Sequence, residues 1–137
     1  MSKKVALVGH CGPDSSYLRL AINKAIPGAK IVAADDDNEL KALFDDGFDL
    51  ALFNRQLDFG FDDSSGASVI RKFARAYPGA KMMLVSNYPE ALEEAVKAGA
   101  LPGFGKRELG SPRVVQLLRD AVADAEPAEA TAAAKGS

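Results

Sequence analysis

The run Asp49-Leu50-Ala51-Leu52-Phe53-Asn54 decides how the rest of this chain is interpreted. Its four central residues are apolar, which is typical of a strand buried on both faces of a parallel sheet. Parallel strands bring their carboxyl ends to one edge, where open α/β sheets place their ligand sites. Because the run ends at Asn54, we expect an uncharged amide in that crevice where a carboxylate would be needed to accept a phosphoryl group.

Four further apolar runs alternate with segments of helical spacing. The five strands are predicted at 5–8, 31–34, 49–53, 82–85 and about 101–104. The candidate helix N-caps are Asp14, either Asp37 or Asn38, and Ser111. Strands alternating with helices predict an α/β fold, a doubly wound (βα)5 sandwich whose parallel five-stranded sheet has the order 2-1-3-4-5.

The length and composition indicate one globular domain. We expect it to span residues 1–125, and we expect 126–137, which has no bulky apolar side chain, to be a disordered tail or linker. A net charge of −2 without a basic patch argues against direct nucleic-acid binding. No apolar stretch approaches the roughly 20 residues of a membrane span.

The cellular location is predicted from two features. The N-terminus leads directly into the first strand, so a signal peptide is not expected. Cys11 is the single cysteine, so an internal disulfide is excluded and a cytoplasmic location is the simplest interpretation.

Four short motifs lie at the ends of the predicted strands or just before them, and their order along the chain is informative. They are Phe48-Asp49-Leu50-Ala51-Leu52-Phe53, Leu84-Val85-Ser86, Ala98-Gly99-Ala100 and Phe104-Gly105-Lys106. Together with the βα order, they resemble the receiver domain of bacterial two-component response regulators, a CheY-like fold of the flavodoxin type. The resemblance covers residues 3 to about 125.

The resemblance implies a pocket whose chemistry is incomplete here. The Ser and Lys of a receiver correspond to Ser86 and Lys106, whereas the acceptor aspartate corresponds to Asn54 and the acidic pair to Gly9 and His10. The switch aromatic corresponds to Gly103, with Phe104 adjacent, and the proline that often follows the lysine is Arg107.

These departures predict that phosphorylation is lost. Acyl-phosphate formation needs a carboxylate nucleophile, which the amide of Asn54 does not replace. It also needs Mg²⁺, which prefers carboxylate oxygens, whereas Gly9 offers no ligand and His10 an imidazole better suited to zinc or copper. We therefore predict no enzymatic activity, no cofactor and no metal, and no rescue by Asn54→Asp alone.

Some side chains have more than one interpretation. Asn54 is expected to hydrogen-bond Lys106 and Ser86, and Lys106 either pairs with Asp14, Asp35 or Asp58 or binds an anion. His10 and Cys11 are interpreted as loop residues with mild redox sensitivity, against a weaker catalytic or metal interpretation. The other open cases are the acidic run 35–37 (helix capping or a metal pocket), the loop residues Asp58, Asp62 and Asp63 (solvated or folded into the pocket), and Phe59 and Phe61 (core cover or partner anchor).

The main functional hypothesis is a pseudo-receiver that binds protein partners without being switched by phosphorylation. The resemblance implies a partner or homodimer surface on the fourth helix, fifth strand and fifth helix, with the candidates Leu92, Val96, Phe104, Arg113 and Arg119. The alternative is a domain that binds a small molecule or anion in the crevice bounded by His10, Asn54, Ser86 and Lys106.

Overall fold

The computed structural model describes residues 3–57 and 60–123. Five strands alternate with five α-helices and one short 3₁₀ helix. In chain order they are β1 (Lys4–Val8), α1 (Gly12–Ala25), β2 (Lys30–Ala34), α2 (Asp37–Asp46), β3 (Leu50–Asn54), α3 (Gly66–Ala76), β4 (Met82–Val85), α4 (Pro89–Ala98), β5 (Leu101–Phe104), the 3₁₀ helix Lys106–Glu108, and α5 (Pro112–Val122).

The strands form one parallel sheet of order β2-β1-β3-β4-β5, which confirms the predicted topology. Side chains alternate along each strand, so each strand contributes to both faces. One face packs against α2, α3 and α4, and the other packs against α1 and α5. Phe53 lies in the first layer and Leu52 in the second, and both are fully buried.

Two predicted helix caps differ from the structure. The helix α1 begins at Gly12 with Cys11 in the capping position, so Asp14 lies inside its first turn and is not the N-cap. Pro13 explains the earlier start, since proline is accepted in the first turn of a helix. Asp36, not Asp37 or Asn38, caps α2 by accepting from the backbone N–H of Glu39. The Ser111 cap of α5 is confirmed.

The connection between β3 and α3 folds back onto the sheet edge. An antiparallel bridge joins Gln56 to Ser65, and the backbone N–H of Leu57 donates to the carbonyl of Ser64. Leu57 is only 1% exposed, and Phe61 is half-buried against the same core. The core-cover interpretation of Phe61 is therefore confirmed, and that of Phe59 lies outside the described residues.

The predicted tail at 126–137 also lies outside the described residues. Within residues 3–57 and 60–123, no helix is long and apolar enough to cross a membrane.

Candidate functional site

The carboxyl edge of the sheet gathers the predicted pocket residues from four strands. Gly9 and His10 follow β1, Asn54 ends β3, Ser86 follows β4, and Lys106 begins the 3₁₀ helix after β5. Two cavities open beside Asn54. One, of about 300 Å³, is lined by Gly9 and His10, and the other, of about 360 Å³, by Ser86 and Lys106. The predicted residues thus share an edge but face two separate spaces.

The Asn54 amide is held by backbone carbonyls. Its Nδ2 donates to the carbonyl of Gly9 at 3.2 Å and to that of Gln56 at 3.0 Å. The predicted bonds to Lys106 and Ser86 are therefore wrong. The reason is that the loops after β1 and β3 present two acceptors to this position, which an amide nitrogen satisfies and a carboxylate does not.

Gly9 leaves no space for a side chain. Its φ of 71° lies in the left-handed region that favours glycine, and a Cβ built there would overlap the Cδ2 of Leu57. Leu57 therefore fills, with hydrocarbon, the volume that a side chain at position 9 would need. This role of Leu57 was not predicted, although an isolated leucine in a polar connection was a signal for burial.

His10 is turned into the protein. Its Nε2 donates to the carbonyl of Leu52 at 2.8 Å, and burial lowers the pKa of the imidazole to about 4. The ring is therefore neutral at pH 7, and its buried Nδ1 has no partner among the described residues. Cys11 is exposed and interacts with Asp14, so the structure does not join the imidazole and the thiol into a catalytic pair.

Lys106 is paired with a carboxylate from α1. Its Nζ lies 2.6 Å from Oδ2 of Asp14, and the two side chains are 31% and 30% exposed. This hydrogen bond is the main cause that lowers the pKa of Asp14. Of the predicted partners, Asp14 is confirmed, Asp35 lines the other cavity, and Asp58 lies outside the described residues.

Ser86 supports the local backbone. It is 3% exposed, and its hydroxyl accepts from the backbone N–H of Tyr88 at 3.1 Å, at the turn into α4. Asn87 extends this support, since its Oδ1 accepts from the backbone N–H of Arg107 at 3.0 Å. Together they tie the loop after β4 to the loop after β5.

The acidic residues do not rebuild a metal pocket within the part of the chain that the structure describes. Asp36 caps α2, and Asp37 accepts from the backbone N–H of Asp62. Asp63 accepts from the backbone N–H of Ser65 and, like Asp62, is exposed. Among residues 3–57 and 60–123, no three side chains of His, Cys, Asp or Glu are placed to hold an ion together.

The switch-aromatic position is closed. A Cβ on Gly103 would overlap the backbone carbonyl oxygen of Leu84, so even a small side chain there displaces backbone. Phe104 is fully buried between the sheet and the layer of α1 and α5. Its predicted place on the partner surface is therefore wrong, because the side chain points into the core.

The remaining surface candidates divide between two places. Leu92, Val96 and Arg113 line a shallow, mainly apolar cavity of about 370 Å³ beside Gly103. Arg119 does not line it, because its guanidinium donates to the carbonyl of Ala25 at the end of α1. Leu92, Val96 and Arg113 thus share one groove, whereas Arg119 is exposed elsewhere on α5.

Two arginines that were not predicted as pocket residues also line the 360 Å³ cavity. Arg55 and Arg107 follow Asn54 and Lys106 directly in the chain. That adjacency was an available signal, since residues next to a strand end share its edge.

No protein-family model matches the chain, and no curated protein matches it in sequence. Solved structures are similar in fold. NtrX from Brucella abortus matches with a TM-score of 0.73 and 16% identity over 89% of this chain and 27% of its own, so this chain spans about a quarter of that protein.

Two further structures extend this similarity. The beryllofluoride-activated NtrC4 receiver domain dimer matches with a TM-score of 0.66 and 17% identity, over 87% of this chain and 95% of its own. A response regulator from Burkholderia pseudomallei with a phosphorylated aspartic acid, calcium ion and citrate matches with a TM-score of 0.60 and 20% identity, over 90% of this chain and 68% of its own. The chain therefore has the fold of response regulator receiver domains.

Proposed function

We propose that this chain is a receiver-like signalling domain that acts by contact with a protein partner and is not switched by phosphorylation. The observation that carries the proposal is the pair of hydrogen bonds from the Asn54 amide to the carbonyls of Gly9 and Gln56. The two carbonyls require a hydrogen-bond donor at position 54, whereas a receiver needs a carboxylate nucleophile there, which can only accept hydrogen bonds.

The loss of metal binding supports the same proposal. Mg²⁺ needs oxygen ligands and room for several waters. Leu57 fills the space above Gly9, and His10 is neutral and bonded to the carbonyl of Leu52. The cavity of about 300 Å³ that remains is lined by a single carboxylate among the described residues, that of Asp35. A phosphoryl group arriving at this edge would lack both a nucleophile and a divalent cation to neutralise its oxygens.

The proposed contact surface is the groove lined by Leu92, Val96, Pro102, Gly103 and Arg113. Val96 is 44% exposed and lies in this groove beside Leu92 and Pro102, so its apolar surface is available to a partner. The NtrC4 neighbour forms a dimer when activated, so a second copy of this chain is the first partner to test.

The boundaries and the cellular location of the domain are part of the same proposal. We take residues 1–125 as one cytoplasmic unit without enzymatic activity, cofactor or metal, and without direct contact to nucleic acid. Its modest net charge and single cysteine support this assignment.

Intact-mass measurement after incubation with acetyl phosphate and Mg²⁺ tests the lost reaction. We expect no gain of a phosphoryl group, while an acidic-pocket receiver treated in parallel gains one. A stable phosphoryl adduct on this chain would defeat the proposal.

Sedimentation of the full chain tests the surface. We expect self-association that Val96→Glu weakens by about tenfold, since a buried charge at an interface centre is costly. Leu20→Glu is the matched control, because Leu20 is 68% exposed on α1, away from the groove. A monomeric wild type, or equal effects of the two variants, would exclude this surface as a dimer interface.

A further inference from the structure

The cavity of about 360 Å³ between β3, β4 and β5 has an unusual charge. Its lining includes Arg55, Lys106 and Arg107, and its other side chains are neutral. No Asp or Glu lines it among the described residues. The nearby carboxylate of Asp14 offsets only Lys106, so the cavity carries an excess of positive charge.

The two arginines differ in how they are held. The guanidinium of Arg55 lies over the ring of Tyr88, 4.8 Å from its centroid, which gives it a defined position. The guanidinium of Arg107 makes no ion pair with any carboxylate in the described residues. An exposed cation beside a concave wall of neutral donors is available to an incoming anion.

We propose that this cavity binds a small organic phosphate without covalent chemistry, its phosphate group held between Arg55, Lys106 and Arg107. Guanidinium groups match phosphate oxygens in paired hydrogen bonds, and an ammonium adds a point charge. The absence of lining carboxylates, which prevents capture of Mg²⁺, is what makes the same edge suitable for an anion.

An adjoining cavity receives the organic part of the ligand. It has a volume of about 680 Å³ and shares Arg55, Gln56 and Tyr88 with the first. Its wall includes apolar atoms of Leu84 and Ala91 and also the carboxylates of Glu90 and Glu94, so only the uncharged part of the ligand suits it. Both volumes lie in the range of about 300–1,000 Å³ that is common for small-molecule sites. A phosphate in the cationic cavity therefore directs its substituent onto the Tyr88 side.

Asp14 competes with the ligand for Lys106. The ammonium is now within 2.6 Å of the Asp14 carboxylate, and an anion that binds Lys106 must share or replace this contact. Removing the Asp14 charge therefore strengthens anion binding.

Titration calorimetry of the full chain tests the site with adenosine monophosphate, inorganic phosphate and adenosine. We expect saturable binding of the nucleotide, weaker binding of inorganic phosphate, and none of adenosine. Arg107→Gln is expected to weaken nucleotide binding by about two- to fivefold, the range for one exposed ionic contact. Asp14→Asn is expected to strengthen it by a similar factor.

Arg71→Gln is the matched control, because it makes the same charge change on the exposed side of α3, outside both cavities. The proposal is overturned if no probe binds saturably, if adenosine binds as well as its monophosphate, or if Arg71→Gln and Arg107→Gln have equal effects. Binding of inorganic phosphate as tight as that of the nucleotide would remove the adjoining cavity from the site. None of these results bears on the mass measurement, which probes covalent transfer to Asn54.

Discussion

The two halves of the carboxyl edge have opposite properties. Beside β1, the edge carries Leu57, which closes the space above Gly9, the inward imidazole of His10, and a cavity of about 300 Å³ that is lined by Asp35 and, among the described residues, by no Lys or Arg. Beside β4 and β5, it is open and cationic, with Lys106 and Arg107 at its rim. A buried leucine therefore narrows the side beside β1, whereas the side beside β4 and β5 is distinguished by its positive charge.

Packing as well as charge distinguishes the space above Gly9. Here Leu57 is 1% exposed and packs with the core layer of Phe53. The closed side therefore contributes to folding stability, and restoring an acidic residue requires displacing buried hydrocarbon.

The substitution Leu57→Ala removes the side chain that fills the space above Gly9. We expect a loss of about 2–5 kcal/mol in the free energy of unfolding, the usual range for truncating a buried leucine. Urea denaturation followed by circular dichroism measures it. Leu20→Ala is the control, since Leu20 is 68% exposed, and its effect should stay within about 0.5 kcal/mol.

A small change in the free energy of unfolding of Leu57→Ala would contradict the claim that Leu57 closes the space above Gly9. If the loss is below about 1 kcal/mol, Leu57 does not seal the space above Gly9 in solution. The same variant then becomes the background in which to ask whether a carboxylate at position 9 is accepted.

His10 predicts how the closed side responds to acid. Burial lowers its pKa from 6.5 to about 4, so the unfolded chain binds the proton first as the pH falls. Its contribution to stability is complete above pH 6.5 and is lost between pH 6.5 and about pH 4. We expect the wild type to lose about 3 kcal/mol across this window.

The measurement is a series of urea denaturations at different pH values. His10 is the only histidine in the chain, and the lowered pKa values of Asp14 and Asp63 remove stability only from about pH 5 downward, so the part of the window above pH 5 belongs to His10. His10→Gln keeps a nitrogen that can donate to the carbonyl of Leu52 but does not titrate. If the free energies of unfolding of the two proteins change in parallel with pH, the imidazole is solvated and the prediction is wrong.

The sequence predicted the open half of the edge better than the closed half. Strand ends follow from runs of buried apolar residues, so the placement of Asn54, Ser86 and Lys106 at one edge could be derived before any coordinates. The pairing of Lys106 with Asp14 was one of three open options, because only tertiary structure decides which loop carboxylate comes within reach.

The closed half depends on a contact across the long connection. The burial of Leu57 above Gly9 accompanies the bridge between Gln56 and Ser65, a backbone contact that periodicity does not describe. Phe104 was misplaced for a related reason. The short strand β5 gives too few residues to fix which of its side chains face inward.

The hydrogen-bond partners of the Asn54 amide also could not be predicted from residue type. Residue type showed that it lacks a nucleophilic carboxylate, but its hydrogen-bond partners are backbone carbonyls, which every residue carries. Sequence alone therefore favoured the nearby polar side chains of Ser86 and Lys106.

A pair of amide-to-acid substitutions makes the sharpest comparison between the two halves. Asn54 uses its nitrogen as a donor, whereas Asn87 uses its oxygen to accept from the backbone N–H of Arg107. Asn54→Asp should therefore lose about 1–3 kcal/mol of stability at pH 7, because its carboxylate faces two carbonyl oxygens. Asn87→Asp should change stability by no more than about 0.5 kcal/mol.

Acid should reduce the difference between these two variants. In Asn54→Asp, the introduced carboxylate faces the carbonyls of Gly9 and Gln56 at hydrogen-bond distance, and the cations of Arg55 and Lys106 line the adjacent cavity without a hydrogen bond to this position. The nearer carbonyls outweigh the cations and raise its pKa above the unfolded value of about 3.9. Stability lost as the pH rises through the raised pKa is then regained below the unfolded value, where the protonated carboxyl can donate to one carbonyl. Urea denaturation at pH 7 and pH 4 measures both effects, with each variant compared with the wild type at the same pH. Equal penalties for the two variants at pH 7 would mean that the edge beside β1 accepts a carboxylate as readily as the edge beside β4.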